Sequence, residues 1–324
     1  MGFFYSQLFK SIPYPTGSYT GKTIIITGGN GGLGREAARH FVRLGASKMI
    51  LAVRSLTKGH EAKLDIESTT GCGKSIIEVW ELDMAHYASV QQFADRVVQH
   101  LDRVDIFLAN AGIAPAQYKT AEDNEASITV NVVSTFLLAA LVMPKLKATA
   151  AKFHTRPTLS ITSSAVHEHT TLPQKSCPEG QIFATVNDKV TANKHWADMY
   201  AVSKLFEVFG VRALAEKHPA ESYPVTINCT NPGLCHSDLG REYNGFGFWL
   251  LKFLVARSTE VGGRILVHGG TSGAESHGQY LDDCEVGAPS PWVLSEEGQT
   301  TQGRVWKELV TKLESVKPGV TSNF

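Results

Sequence analysis

Cysteine is scarce in this chain, and the cysteines that occur form no recognisable pattern. Cys72, Cys177, Cys229, Cys235 and Cys284 include no C-x-x-C pair and have no accompanying cluster of histidines. The odd number and the loose spacing argue against a disulfide framework and against a zinc site, so no metal is predicted. Reduced, mostly buried thiols in a cytoplasmic protein are therefore the expectation.

An excess of charge of one sign is also absent, because 31 basic residues balance 31 acidic residues. A neutral chain has no general attraction to nucleic acid or to anionic lipid, so neither is a predicted partner. The longest apolar run, Phe246 to Ala256, is interrupted by Lys252. Since a membrane-spanning helix needs about 20 apolar residues, no transmembrane segment is predicted. The N-terminus has no basic region followed by an apolar run, which argues against a secretory signal.

The chain has 324 residues, of which 43% are apolar, and its apolar segments alternate in type. The predicted strands are rich in β-branched residues: Thr23–Thr27, Met49–Val53, Ile76–Leu82, Val104–Leu108, Thr158–Thr162 and Val225–Cys229. The predicted helices are Glu36–Leu44, Lys58–Glu67, Ser89–Leu101, Asn124–Leu146, Met199–Lys217, Phe248–Val255 and Val305–Leu313. This alternation predicts the α/β class: a Rossmann-type doubly wound parallel sheet in a single domain, 1–324, with residues 1–20 as an N-terminal arm.

A glycine-rich loop follows the first predicted strand and opens into a helix. The segment Thr27–Gly34 reads TGGNGGLG, and Gly32, Gly34 and Ala37 match the dinucleotide fingerprint. Backbone N–H groups in such a loop, together with the helix dipole, favour a pyrophosphate. The predicted cofactor-binding residues here are Gly28, Asn30, Gly31, Gly32, Leu33 and Gly34. A glycine-rich turn without a ligand is the simpler alternative.

The end of the second strand carries the residue that selects the cofactor. An NAD site places an acidic residue there to hold the ribose 2′-hydroxyl, but this chain has Arg54. A guanidinium can bind a 2′-phosphate that a carboxylate would repel, so NADP(H) is the predicted cofactor. An exposed arginine at a strand end is the alternative, in which case Arg35 or Lys58 would select the cofactor.

Three further motifs follow in order along the chain. Asn110-Ala111-Gly112 comes after the fourth strand, and Ser163-Ser164 ends the fifth. Tyr200 and Lys204 are four residues apart, so both side chains lie on one face of a helix. A phenol with a pKa near 10 is a poor acid or base at neutral pH, and a neighbouring ammonium lowers that pKa. The spacing therefore favours proton transfer to or from a substrate oxygen.

These motifs together resemble the short-chain dehydrogenase/reductase family. They stand in family order as TGxxxGxG at Thr27–Gly34, NAG at Asn110–Gly112, Ser164, YxxxK at Tyr200–Lys204, and PG at Pro232-Gly233. The segments Leu51–Ser55 and Asn231–Leu239 resemble the retinol-dehydrogenase-like branch, and residues 262–320 resemble fungal members of it. The resemblance covers roughly residues 20–240.

The resemblance implies a role for each matched residue. Tyr200 would exchange the proton, Lys204 would lower its pKa and bind the nicotinamide ribose, Ser164 would bind the reacting oxygen, and Asn131 would support a proton-relay water. The other implied cofactor-binding residues are Asp83 at the adenine, Asn110, Ala111, Gly112, Pro232, Gly233, Leu234 and Ser237. Residue types alone leave alternatives open: Asn131 as an ordinary helix amide, Asp83 as a helix cap, and Ser163 in place of Ser164. His167 and His169 are expected to be exposed loop residues.

Two segments depart from the family pattern. The insertion 165–199 precedes the tyrosine and is either a surface excursion, a lid, or a cover over a dimerisation helix. The second is the variable aromatic segment 238–257, which the resemblance implies is the substrate lid, with Gly245 and Gly247 as hinges, although core packing explains such a stripe about as well.

Together, these observations predict an NADPH-dependent reductase that converts a ketone or aldehyde of a hydrophobic small molecule to an alcohol, reversibly. The fungal resemblance implies secondary-metabolite biosynthesis, and a monomer or homodimer is expected. A dinucleotide-binding redox sensor or pathway partner with incidental activity is the alternative.

Overall fold

A computed structural model of the protein describes residues 3–240 and 246–324, and for Asp238 and residues 246–250 only the backbone. The described α-helices are α1 (Phe3–Phe9), α2 (Gly32–Arg43), α3 (Leu56–Thr70), α4 (Tyr87–His100), α5 (Ser134–Phe153), α6 (Ile182–Asn187), α7 (Lys189–Lys194), α8 (Trp196–Lys217), α9 (Phe246–Val255), α10 (Thr259–Thr271), α11 (Pro291–Leu294) and α12 (Glu296–Val316). The strands are β1 (Thr23–Thr27), β2 (Lys48–Val53), β3 (Ile77–Glu81), β4 (Ile106–Ala109), β5 (Thr120–Ala121), β6 (Asn124–Glu125), β7 (Thr158–Thr162), β8 (Thr226–Asn231), β9 (Tyr280–Asp282) and β10 (Glu285–Gly287).

Eight of the described strands form one sheet in the order β10-β9-β8-β7-β4-β1-β2-β3. Each neighbouring pair is parallel except β9 and β10, which are antiparallel. The chain runs outward from β1 to β3 and then returns to β4 on the other side of β1. This reversal creates a crevice at the carboxyl ends of β1 and β4, where open α/β sheets bind their ligands.

Helices cover both faces of the sheet, as the doubly wound prediction requires. Strand β1 is buried along its whole length, and its side chains alternate between two apolar clusters. Ile25 packs with α4, α5, α8 and α12, whereas Ile24 and Ile26 pack with α2, α3 and α10. A β-branched strand that is buried on both faces is what a central parallel strand needs.

The helix that follows the NAG motif begins later than its apolar pattern predicts. Asn124–Glu125 forms a short antiparallel ladder with β5, and a π-helical turn, Ile128–Val133, leads into α5. The buried carboxylate of Glu125 accepts hydrogen bonds from the N–H groups of Ser127 (2.9 Å) and Ile128 (3.2 Å). This carboxylate satisfies the first amides of the helix, so the predicted start at Asn124 is wrong.

That same helix is the one element of the described chain whose length and composition would allow a membrane span. The segment Ile128–Phe153 has a mean hydropathy of 1.7 in its most apolar window, but 83% of that window is buried inside the protein. It packs against α4 and α8 on one face of the sheet. Its apolar composition is therefore explained by its position in the core.

The insertion before Tyr200 is folded against the C-terminal helix. Within it, α6 begins with two backbone N–H groups, those of Ile182 and Phe183, that donate to the carboxylate of Glu308 on α12 at 3.1 and 2.9 Å. Arg304, also on α12, donates to the carbonyls of Lys175 and Cys177 at 2.6 and 2.8 Å. The insertion is thus anchored by α12, which itself packs along α8.

Candidate active site

The glycine loop lies between β1 and α2 and is tied to the NAG segment by one hydroxyl. Thr27 Oγ1 accepts hydrogen bonds from the N–H groups of Asn110 (2.9 Å) and Ala111 (2.8 Å), and Asn110 Nδ2 donates to Thr27 O at 3.0 Å. Gly28 has a φ of +69°, which favours glycine. A Cβ on Gly34 would lie 2.6 Å from Gly28 O, so this glycine lets α2 begin close to the strand.

The start of α2 fits an anionic group. Gly31 is the N-cap residue and supplies no side-chain acceptor, so the first helical amides have no capping side chain within the described part of the chain. A Cβ on Gly31 would meet no described atom within 4 Å, which leaves the approach to these amides open. The N–H groups and the helix dipole together suit a pyrophosphate.

Two arginines flank this helix start and differ in how they are held. Arg54 follows β2, is exposed, and makes no ion pair or hydrogen bond with the residues that the structure describes. Arg35, on α2, lies 3.4 Å from Glu36 and 3.6 Å from Asp65, measured between nitrogen and carboxylate oxygen. Arg54 is therefore the more available guanidinium for a 2′-phosphate.

Asp83 follows β3 and holds a turn by its side chain. Its Oδ1 accepts from the N–H of Ala85 at 3.0 Å, and its Oδ2 lies 3.1 Å from His86 Nδ1. The N-cap position of α4 belongs to His86, so the alternative interpretation of Asp83 as the cap of that helix is wrong. The implied contact with adenine remains a prediction.

Ser163 and Ser164 directly follow β7 and differ in burial. Ser163 is 2% exposed, and its hydroxyl donates to Lys204 O at 3.2 Å. Ser164 is half-buried, and among the described residues its Oγ accepts a long hydrogen bond, 3.3 Å, from the N–H of Val166. Burial therefore favours Ser164 over Ser163, and the contact of Ser164 with a substrate stays a prediction.

Tyr200, Lys204 and Asn131 meet at the carboxyl ends of β4 and β7. Lys204 Nζ lies 5.7 Å from the centre of the half-buried Tyr200 ring and donates to Thr162 O at 2.8 Å. Asn131 is buried and exchanges hydrogen bonds of 2.9 Å with the backbone of Ile113, next to the NAG motif. A Cβ on Gly112 would lie 3.2 Å from Asn131 Oδ1 and 3.8 Å from Lys204 Nζ. Asn131 is thus bound to the site rather than exposed on the helix.

Lys204 has a partner that the sequence patterns did not single out. Its Nζ donates to Glu207 Oε1 at 2.8 Å, and the two side chains are only 6% and 3% exposed. Glu207 lies three residues after Lys204 on α8, which places it on the same helix face. A carboxylate in the otherwise apolar stretch Leu205–Phe209 was the signal that could have revealed it.

The loop after β8 lies above the glycine loop. A Cβ on Gly32 would be 3.8 Å from Ser237 Cβ, which brings the predicted nicotinamide loop close to the predicted pyrophosphate loop. Gln7 of α1 binds this loop: its Nε2 donates to Leu234 O (2.9 Å) and Val255 O (3.1 Å), and its Oε1 accepts from Leu234 N (3.1 Å). The sequence patterns gave no sign of this role for the N-terminal arm.

His167 departs from the expectation of an exposed loop histidine. It is fully buried, with Nδ1 2.8 Å from Ser164 O and Nε2 accepting from Ser290 N at 3.1 Å. Burial lowers its pKa, so the ring is neutral and carries its proton on Nδ1. His167 therefore links the serine loop to the C-terminal segment, whereas His169 is exposed as predicted.

The predicted lid falls partly outside the described residues. Helix α9 does run from Phe246 to Val255, but Tyr243, Gly245 and the side chains of residues 246–250 lie outside what the structure describes. Among the described side chains of α9, Phe253 and Leu254 are exposed and Val255 is buried. The hinge role of the two glycines remains a prediction.

Two further predictions concern the cysteines and metal binding. All five cysteines belong to the described part of the chain and are free, with Cys229 and Cys235 buried and the other three half-buried. Among the described residues, no group of three or more His, Cys, Asp and Glu side chains could hold a metal ion.

A doubly wound sheet whose switch point carries a glycine loop, a serine and a tyrosine–lysine pair defines a Rossmann-type oxidoreductase. The family model for short chain dehydrogenases matches residues 22–152. The short-chain dehydrogenase/reductase dmxR8 of Cryptosporiopsis sp. (strain 8999) is 72% identical over 324 residues, and the match covers 100% of both chains. The chain therefore belongs to the short-chain dehydrogenase/reductase family, as the motifs predicted.

Other relatives and solved structures agree with this assignment. The short-chain dehydrogenase anuD of Penicillium roqueforti is 40% identical over 329 residues, which cover 99% of this chain and 84% of the relative. These relatives are fungal, which confirms the predicted resemblance to fungal members; the retinol-dehydrogenase-like branch stays a prediction. The fold matches a short chain dehydrogenase from Escherichia coli CFT073, solved with NADPH, with a TM-score of 0.58 and 22% identity over 83% of this chain and 99% of that one.

Proposed function

We propose that this oxidoreductase uses NADP(H) to reduce a ketone or aldehyde of a hydrophobic small molecule to an alcohol, in a reversible reaction. The observation that carries the proposal is the buried ammonium of Lys204 beside the Tyr200 ring. A protein that only binds a dinucleotide has no need for such a proton-transfer pair.

The residues at the switch point fit the cofactor. The uncapped start of α2 would hold the pyrophosphate, the exposed Arg54 would bind the 2′-phosphate, and Leu234 and Ser237 would lie along the nicotinamide. When bound, NADPH supplies the hydride. The relative solved with NADPH supports this choice of cofactor.

The proton comes from the chain itself. The Tyr200 hydroxyl would donate a proton to the substrate oxygen during reduction, and Lys204 would stabilise the phenolate that remains. The half-buried Ser164, two residues after the end of β7, would hold the same oxygen by a hydrogen bond from its hydroxyl. In the oxidation direction the tyrosinate would take the proton from the alcohol.

The proposed substrate class is supported by helix α9. Lys252 of this helix donates to Ser237 O at 2.7 Å, which holds α9 against the loop after β8. Phe253 and Leu254 on the same helix are exposed, and their apolar surface suits a hydrophobic substrate. Given the fungal relatives, we place the reaction in secondary-metabolite biosynthesis. We also propose that the enzyme is a cytoplasmic monomer or homodimer.

The test is the loss of NADPH absorbance with a panel of aromatic and terpenoid ketones and aldehydes, paired with NADP⁺ reduction by the matching alcohols. We expect turnover with several apolar carbonyls and little with small polar ones. Calorimetric titration with NADPH and NADH accompanies it. Tight NADPH binding without turnover on any carbonyl would instead favour the redox sensor or pathway partner.

A further inference from the structure

Tyr200, Lys204 and Glu207 occupy one face of α8, with the lysine between the other two. The spacings of four and three residues place them on successive turns of that face. The ammonium lies 5.7 Å from the Tyr200 ring centre and 2.8 Å from Glu207 Oε1. The geometry therefore gives Lys204 an anionic group on the side away from Tyr200.

Few other charged groups among the described residues lie near Lys204 and Glu207. Desolvation lowers the pKa of Lys204, whereas the negative charge and hydrogen bond of Glu207 and the anionic form of Tyr200 raise it, and the pKa ends above its ordinary value. Cys229 on β8 is a buried thiol whose pKa is raised by desolvation, so it is neutral. Ser163, which follows β7, faces Glu207 with an uncharged hydroxyl, and Arg212 of α8 lies within electrostatic reach of Cys229. Among the described residues, Glu207 is therefore the main countercharge of Lys204.

We propose that Glu207 is a positioning residue that keeps Lys204 protonated and directed toward Tyr200. The inference deepens the proposed function and rests on it, because it assigns a second residue to the control of Tyr200. A lysine this deeply buried loses its proton readily unless a carboxylate compensates for the missing water. A neutral Lys204 could no longer stabilise a tyrosinate.

Burial also changes the pKa of the Glu207 carboxylate. Burial raises the pKa of Glu207 to about 7, against the opposing attraction of Lys204. Above neutral pH the pair is therefore ionised, and this is the range in which a tyrosine titrates. The charge of Glu207 is thus present when it is needed.

The test is a spectroscopic titration that requires no turnover. Phenolate absorption in the near ultraviolet is recorded against pH for the wild type and for Tyr200→Phe, and the difference isolates Tyr200 from the other tyrosines. The same pair is measured on a Glu207→Gln background. We expect the pKa of Tyr200 to rise by about one unit in Glu207→Gln, because burial then deprotonates Lys204.

The direction of the shift decides the outcome. If Glu207 acted only as a negative charge near Tyr200, its removal would lower the pKa of Tyr200, and this result would overturn the proposal. An unchanged pKa would overturn it as well. Glu207→Asp keeps the charge and should restore most of the wild-type value.

Glu216→Gln is the matched control. It removes a carboxylate from the same helix, where Glu216 accepts a hydrogen bond from Gln302 Nε2 at 2.9 Å and lies far along α8 from Tyr200. It should leave the titration unchanged. Unfolding midpoints of all variants show whether each one folds. Where Glu207→Gln does not fold, Glu207→Met, which has a similar volume and no charge, takes its place, with the same expected rise and the same contradicting results.

The pH profile of alcohol oxidation provides the second readout. The pH at which the rate rises to half its maximum should move upward by about one unit in Glu207→Gln, whereas a merely structural defect lowers the rate at every pH equally. A wild type with no turnover would contradict the proposed function alone, because the absorption titration would still measure Tyr200.

Discussion

Two of the described buried ion pairs lie near the candidate site. One joins residues of the same helix, and the other joins distant segments of the chain. Lys204 and Glu207 belong to one helix and are 2.8 Å apart, while Arg257 and Asp283 come from distant segments and are 2.7 Å apart. Both pairs are at least 90% shielded from solvent at the side chain. Burial and distance therefore do not separate an ion pair at the candidate site from one that only joins distant segments of the chain.

What separates them is the group that each cation faces. Lys204 faces Tyr200, the candidate proton donor. Arg257 donates through Nη2 to Ser6 O at 2.7 Å, and its backbone N–H donates to Leu234 O at 2.9 Å. Arg257 thus fastens the N-terminal arm to the loop after β8, so the first pair should control rate and the second should control stability.

The largest effect is expected from Tyr200→Phe. Because the hydroxyl is the proposed proton donor, its removal should reduce turnover by roughly 10²–10⁴-fold, the range that general acid–base assistance supplies. Steady-state kinetics and calorimetric titration measure turnover and NADPH binding, and binding should change little. A variant that keeps more than about a tenth of its rate would contradict the role of Tyr200.

Arg257→Met should act on stability instead. It leaves Asp283 buried without its cation, which typically costs about 3 kcal/mol of unfolding free energy. Denaturant unfolding measures the change. Arg257→Met combined with Asp283→Asn removes both charges and should recover part of that loss, because asparagine tolerates the positive φ of residue 283 and can still accept from Ser6 Oγ.

The exposed pair between Lys307 and Glu179 provides the control for Arg257→Met. Its side chains are 73% and 71% exposed, so Lys307→Met should leave the unfolding free energy unchanged within error. Equal losses from Arg257→Met and Lys307→Met would mean that burial does not give the Arg257 pair its structural role.

Several strands and the face shared by Tyr200 and Lys204 could be predicted from the sequence. Strands Thr23–Thr27 and Thr158–Thr162 have the bounds that their β-branched runs predicted, and Tyr200 and Lys204 share a helix face as their spacing required. These features depend on residues close together in the chain. Local periodicity is sufficient for them.

The features that the sequence did not predict depend on contacts between distant segments of the chain. The buried state of His167 depends on Ser290, and the role of Gln7 depends on Leu234 and Val255. Helix α10 was missed because it contains several glycines, which weaken a helix locally. A Cβ on Gly263 would lie 2.9 Å from Ala37 N, so glycine is there to let α10 pack closely on α2.

The smallest effect concerns a third cation, Arg54, which is neither buried nor paired among the described residues. Arg54→Asp should shift the preference from NADPH toward NADH, because it removes a partner of the 2′-phosphate and adds a charge that repels it. One charge-assisted hydrogen bond contributes about 1.5–3 kcal/mol, so we expect roughly a tenfold to hundredfold change in the ratio of kcat/KM values.

Lys58→Asp, which places the same negative charge on the exposed start of α3, is the matched comparison and should change the ratio less. If Lys58→Asp or a change at Arg35 shifts the ratio while Arg54→Asp does not, the 2′-phosphate is bound from the helix side and Arg54 is a solvent-exposed bystander. Turnover at saturating NADPH should stay near the wild-type value in Arg54→Asp, because Arg54 follows β2, whereas Tyr200 and Lys204 lie at the end of β7, three strands away in the sheet.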